Sequence, residues 1–120
     1  MSKTRVIEYQ DDELNVRLVV ARANMQAGMC RTRLQLLAES ADDDNEDIKL
    51  LRRFSYPDVI AATVDVEGIP WPLSFEDYVQ LPERLGLLWE RAVYDLNPSW
   101  LPGWEERAEA EKKVMSSTAG

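Results

Sequence analysis

Apolar residues recur every three or four positions across residues 16–37, and this periodicity constrains the fold more than any other feature of the sequence. The spacing is that of one face of a single helix, followed for about six turns. We therefore predict a long helix over about 14–39. Such a face suits either the core of a small domain, which is its commoner use, or a coiled-coil contact between chains. The members of this seam are Val16, Val20, Ala23, Ala27, Cys30, Leu34 and Leu37.

Further apolar side chains lie outside the seam, so an isolated helix would leave much of its surface unburied. They are Leu18, Val19, Met25, Met29 and Leu36. Gly28 weakens the middle of the predicted helix by about 1 kcal/mol relative to alanine, and it indicates the close approach of another backbone. Cys30 lies on the seam, which favours a small buried hydrophobic side chain over a reactive thiol.

The rest of the chain is divided by acidic residues and prolines. Residues 40–47 form an acidic link that lacks the spacing of an EF-hand, so a solvated loop is favoured over a calcium site. Capping residues and prolines predict further helices over about 46–63, 74–80 and 82–96. The β-branched content of residues 4–10 favours a short strand, and residues 63–66 suit either a strand or the end of a helix.

These elements together predict a mainly α fold with four to five helices and room for one short N-terminal strand or hairpin. We expect a single helical domain over 1–104. Residues 105–120 are charged and rich in alanine, and they read as a partly disordered tail.

The composition excludes most catalytic chemistry. The chain has no histidine and a single cysteine, so the usual general base, imidazole metal ligands and cysteine zinc sites are missing. None of its five glycines belongs to a phosphate-binding loop. We therefore expect no enzyme activity, no cofactor and no metal.

The charge balance limits the partners. With 14 basic and 22 acidic residues, the formal net charge is −8, which argues against nucleic acid and anionic membranes. The N-terminus lacks the apolar run of a signal peptide, and no apolar stretch approaches the roughly 20 residues that span a bilayer. A single cysteine suits a reducing compartment, so we predict a cytoplasmic protein.

A binding role is the remaining class, and large apolar or aromatic side chains are its natural contacts. Tryptophan and tyrosine are frequent in interface hot spots, and methionine gives an adaptable surface. The tryptophans in proline-flanked segments suit either a cap on the core or an exposed contact surface. We predict that the protein-binding residues include Val20, Met25, Met29, Leu36, Trp71, Tyr78, Trp100 and Trp104.

Four blocks between residues 56 and 100 carry a resemblance to a known family. They are residues 56–60 (YPDVI), 71–78 (WPLSFEDY), 81–82 (LP) and 92–100 (AVYDLNPSW). An aromatic and acidic short helix ending in Leu-Pro, followed by a helix that closes on Tyr-x-Leu-Asn-Pro-x-Trp, resembles the tail assembly chaperones of long-tailed bacteriophages and prophages. The resemblance covers about residues 50–104.

The resemblance implies a small helical protein of the host bacterial cytoplasm. Such a protein binds the long, helix-rich tape measure protein and keeps it soluble until tail tube subunits polymerise around it. The tail tube protein is a further expected partner, and homo-oligomerisation stays open. The alternative is a small acidic adaptor or regulatory protein, of antitoxin or anti-repressor type, that binds and masks a protein partner.

Overall fold

A computed structural model describes residues 3–101 and gives an α+β fold in which a three-stranded antiparallel sheet carries helices against it. The strands are β1 (Thr4–Gln10), β2 (Asn15–Ala21) and β3 (Thr63–Glu67), with β2 in the centre. The helices are α1 (Met25–Glu39), α2 (Glu46–Leu50), α3 (Tyr56–Ala62), α4 (Phe75–Tyr78) and α5 (Glu83–Leu96). A π-helical turn, Leu51–Ser55, joins α2 to α3, and a 3-10 turn, Pro98–Trp100, follows α5.

The predicted mainly α class is wrong, because the first third of the predicted helix over 14–39 is the central strand β2. Its buried side chains alternate, at Val16, Leu18 and Val20, as they do in a strand with one face on the core. Val16 and Val20 are four residues apart. This spacing places two side chains on the same face of a helix and also on the same face of a strand, so it does not distinguish the two. The helix begins only at Met25, where the side chain of Asn24 accepts a hydrogen bond from the Ala27 amide at 2.9 Å.

The other two strands pair antiparallel with β2. The predicted short strand over residues 4–10 is confirmed as β1. The ambiguous stretch 63–66 belongs to β3, which is paired along the other side of β2. Gly68, directly after β3, has φ +95°, and a Cβ there would lie 2.0 Å from the Asn15 carbonyl oxygen. Only glycine fits this close approach.

The helical run predicted over about 46–63 is present from Glu46 to Ala62. A proline normally removes one helical hydrogen bond and its ring meets the carbonyl four residues earlier. Here the π-helical turn Leu51–Ser55 precedes Pro57 and widens the helix at that point. Ser55 does not cap a new helix here, since it has helical dihedral angles and its side chain makes no capping hydrogen bond.

The last two helices lie where the capping residues place them. The Ser74 side chain accepts a hydrogen bond from the Asp77 amide at 3.1 Å and starts α4, which ends at Tyr78, earlier than the predicted residue 80. Helix α5 begins at Glu83, one residue after the predicted start at Pro82, which is its N-cap. The predicted tail over 105–120 lies outside the described residues.

One hydrophobic core is enclosed between the sheet and helices α3, α4 and α5. Trp89 of α5 is fully buried at its centre, and its indole N–H donates to the Thr63 hydroxyl at 2.9 Å. The buried apolar side chains of this core include Leu18, Val20, Val59, Phe75, Tyr78 and Leu85. Helix α1 contributes no fully buried side chain to this core.

Candidate protein-binding site

Helix α1 lies on the surface although it is rich in apolar residues. One of its sides packs against α3 and the π-helical turn. The half-buried residues on that side are Ala27, Arg31, Leu34 and Ala38, which again follow a spacing of three and four. The predicted seam through Cys30 and Leu37 is therefore rotated from the true packed side, and Cys30, predicted to be buried, is exposed.

The opposite side of α1 carries an apolar stripe with no covering element among residues 3–101. Met25 is 84% exposed, Met29 65% and Leu36 60%. These residues line an open groove of about 1080 Å³, whose lining also includes Gly28, Thr32 and Trp100. We name it the α1 groove. Large exposed apolar patches of this kind mark contact sites on soluble proteins.

A buried polar network fixes α1 against the rest of the fold. The Asp58 carboxylate is fully buried and accepts hydrogen bonds from Arg31 Nε at 2.5 Å and from the Tyr94 hydroxyl at 2.6 Å. Burial raises the pKa of Asp58, and the two donors partly oppose that rise. The Asp58 charge is paired with Arg31, and both of its carboxylate oxygens accept a hydrogen bond. Since Arg31 lies in α1, Asp58 in α3 and Tyr94 in α5, the network connects these three helices.

The same arginine holds the aromatic side of the α1 groove. Its guanidinium carbon lies 4.7 Å from the centroid of the Trp100 ring, which is a cation–π distance. Its Nη2 also donates to the Trp100 carbonyl oxygen at 3.5 Å. Arg31 therefore joins the packed side of α1 to Trp100, although the two residues are far apart in sequence.

Asn97 brings the end of α5 to the start of α1. Its side-chain nitrogen donates to the carbonyl oxygens of Ala21 and Val93, each at 3.1 Å, and its side-chain oxygen accepts from the Ala23 amide at 2.8 Å. Asn97 is itself buried, so these bonds are shielded from water. The turn Pro98–Trp100 follows directly, and this places Trp100 beside α1.

The predicted binding residues fall into four groups. The structure brings Met25, Met29, Leu36 and Trp100 together in the α1 groove. Trp71 is 42% exposed in the loop between β3 and α4 and does not line the groove. Trp104 lies outside the described residues.

Two of the predicted binding residues are core residues instead. Val20 is fully buried in β2, and Tyr78 is 6% exposed at the end of α4. Neither side chain presents a surface to a partner, so both assignments are corrected to packing roles. Val20 was assigned on the helical seam, and the strand turns that position inward.

Sequence reasoning missed Thr32, Arg33 and Leu37 as members of the groove lining. Gly28 carried a signal, since a glycine within a helix favours a close backbone contact. Within residues 3–101 nothing lies within 4 Å of the position that a Gly28 Cβ would occupy. The backbone contact that Gly28 indicates is thus not made by the described part of the chain.

The groove offers binding contacts and little reactive chemistry. Its lining is mostly apolar, with the guanidinium of Arg33 as its charged group. Over residues 3–101 no three acidic or thiol side chains converge as a metal ion requires, and no helix is long and apolar enough to cross a bilayer. No known family, curated protein or solved structure matches this chain.

Proposed function

We propose that this protein is a phage tail assembly chaperone, without enzyme activity, that binds the tape measure protein through the α1 groove. The observation that carries the proposal is the uncovered stripe of Met25, Met29 and Leu36 beside Trp100. A soluble protein gains nothing in stability from exposing such side chains, whereas a partner that covers them gains apolar burial.

The shape of the groove favours a helix as the bound element. The stripe from Met25 to Leu36 extends over about 16 Å along α1, which is about three turns. An amphipathic partner helix presents apolar side chains at the same spacing and can lie along it. Methionine side chains adapt to partners of different shape, which suits a chaperone that meets many helical segments of one long protein.

The charge of the chain supports a solubilising role. A formal net charge of −8 gives the complex a repulsive surface while the apolar side of the partner is covered. The tape measure protein as the specific partner rests on the resemblance of residues 50–104 to tail assembly chaperones. On the same ground we place the protein in the host bacterial cytoplasm, with the tail tube protein as a further partner.

Co-expression tests the proposal directly. We expect the tape measure protein encoded in the same genome to be insoluble alone and soluble with the wild-type chaperone. Met29→Asp places a charge in the α1 groove at a position that is already exposed, so the fold is retained and solubilisation is lost. The measurement is the soluble fraction of the tape measure protein.

Leu87→Asp is the matched control. Leu87 is 58% exposed on α5 and does not line the groove, so its substitution introduces the same charge elsewhere. We expect this variant to solubilise the tape measure protein as the wild type does. An insoluble tape measure protein in the presence of wild-type chaperone would overturn the function. Equal effects of the two variants would overturn the site.

A further inference from the structure

Gly28 is placed between the two sides of the α1 groove. Met25 and Thr32 are its neighbours at one turn along the groove side of the helix, and Arg31, one turn away on its other side, stacks on Trp100. A helix lying between the methionine stripe and Trp100 therefore passes over Gly28. We infer that Gly28 is the point of closest approach for an α-helix of the partner protein, and this rests on the proposed function.

The glycine has no structural reason within the described chain. Glycine is unfavourable inside a helix, and its Cβ position meets nothing within 4 Å. Its dihedral angles are helical rather than left-handed, since Gly68 is the glycine with positive φ among residues 3–101. Small residues at helix crossings let two backbones approach closely, and this is the use that the open space leaves for Gly28.

The groove also defines the charge of its occupant. Arg33 lines the groove and makes no salt bridge with any residue from 3 to 101. A partner helix with a carboxylate beside its apolar stripe would pair with this guanidinium. The occupant is therefore an amphipathic helix that carries a small residue where it crosses Gly28 and an acidic residue near Arg33.

Gly28→Ala separates this role from a structural one. Among residues 3–101 the alanine Cβ meets no atom beyond the nearby backbone of its own helix, and alanine favours the helix, so the thermal midpoint should rise. The added methyl group holds a partner helix away, so binding should weaken, by roughly tenfold. Gly86→Ala is the matched control, because Gly86 lies in α5, also meets nothing within 4 Å and does not line the groove.

The probe is a set of overlapping synthetic peptides that tile the tape measure protein, titrated into the full chain by calorimetry. We expect wild type and Gly86→Ala to bind the same peptides with equal affinity, and Gly28→Ala to bind them more weakly. Arg33→Glu should also weaken binding, whereas Arg22→Glu, with the same charge change outside the groove lining, should not.

The peptide titrations distinguish failure of the proposed function from failure of the role assigned to Gly28. If wild type binds no peptide, the proposed function fails, and this inference fails with it. If wild type binds and Gly28→Ala binds equally well, the closest-approach role is overturned while the chaperone function stands. A dimer in sedimentation equilibrium that Gly28→Ala disrupts, with no competition from the peptides, would identify a second copy as the occupant and overturn the partner helix. Tighter peptide binding by Trp104→Ala would show that the peptides compete with residues 102–120 for the groove, which agrees with a partner helix as the occupant.

Discussion

Two tyrosine hydroxyls donate to carboxylates in packed surroundings. The Tyr94 hydroxyl lies 2.6 Å from Asp58 Oδ2, and that of Tyr78 lies 3.3 Å from Glu90 Oε1. Burial is the main cause that raises the pKa of both phenols far above 10.0, and the neighbouring carboxylates add to it. Ionised phenolate has no favourable place at either position.

The raised pKa values make the stability of the fold depend on alkaline pH. Above pH 10.0 the folded chain keeps protons that the unfolded chain releases, so the contribution is complete below pH 10.0 and is lost as the pH rises further. We expect the phenolate absorbance of Tyr78 and Tyr94 to appear together with unfolding. We also expect Tyr94→Phe to make the alkaline loss of stability less steep. Phenolate formation near pH 10.0 at both positions with intact circular dichroism would contradict this.

At the scale of elements, the Asn97 side chain joins the end of β2, the link that leads into α1, and α5. Asn97→Ala leaves the part-buried Ala23 amide and Ala21 carbonyl without these partners, which we expect to cost about 3 kcal/mol of unfolding free energy. Denaturant titration measures the loss. Asn45→Ala is the control, because it removes an exposed cap of α2 and should cost about 1 kcal/mol. Equal losses in the two variants would show that Asn97 is not a junction.

The sequence contained the signals for β2 and α1, but two patterns overlapped. Val16, Leu18 and Val20 alternate with less buried residues, which is the strand period, and Asn24 is a good helix cap. The longer helical seam included Val16 and Val20 and concealed both signals. By contrast, α5 was predicted closely. Its apolar face is clear, and Pro82 and Asn97-Pro98 mark its two ends.

At the scale of the whole molecule, the α1 groove is formed by tertiary contacts, which the periodicity of apolar residues along the sequence does not predict. From the sequence, Met25, Met29, Leu36 and Trp100 were predicted as binding residues one at a time. These side chains come together because of the hydrogen bonds of Asn97 and because Arg31 pairs with Asp58. Neither pairing follows from local spacing, since both join residues that are distant along the chain.

The two halves of the chain share one sheet and one core, so we predict a single unfolding transition. The acidic link over 40–47 does not separate them, because β3 pairs with β2 and Asp43 is bound to Arg52 at 2.8 Å. Tryptophan fluorescence reports the second half of the chain, which holds all four tryptophans, and circular dichroism reports all elements. The midpoints of the two signals in denaturant should coincide.

Gly68→Ala sharpens this prediction at the contact between the halves. The added Cβ would lie 2.0 Å from the Asn15 carbonyl, and φ is +95°, so we expect a loss of about 2 kcal/mol. If the fold is one cooperative unit, both midpoints move together by the same amount. If only the circular dichroism midpoint moves while tryptophan fluorescence does not, the sheet opens independently of the core.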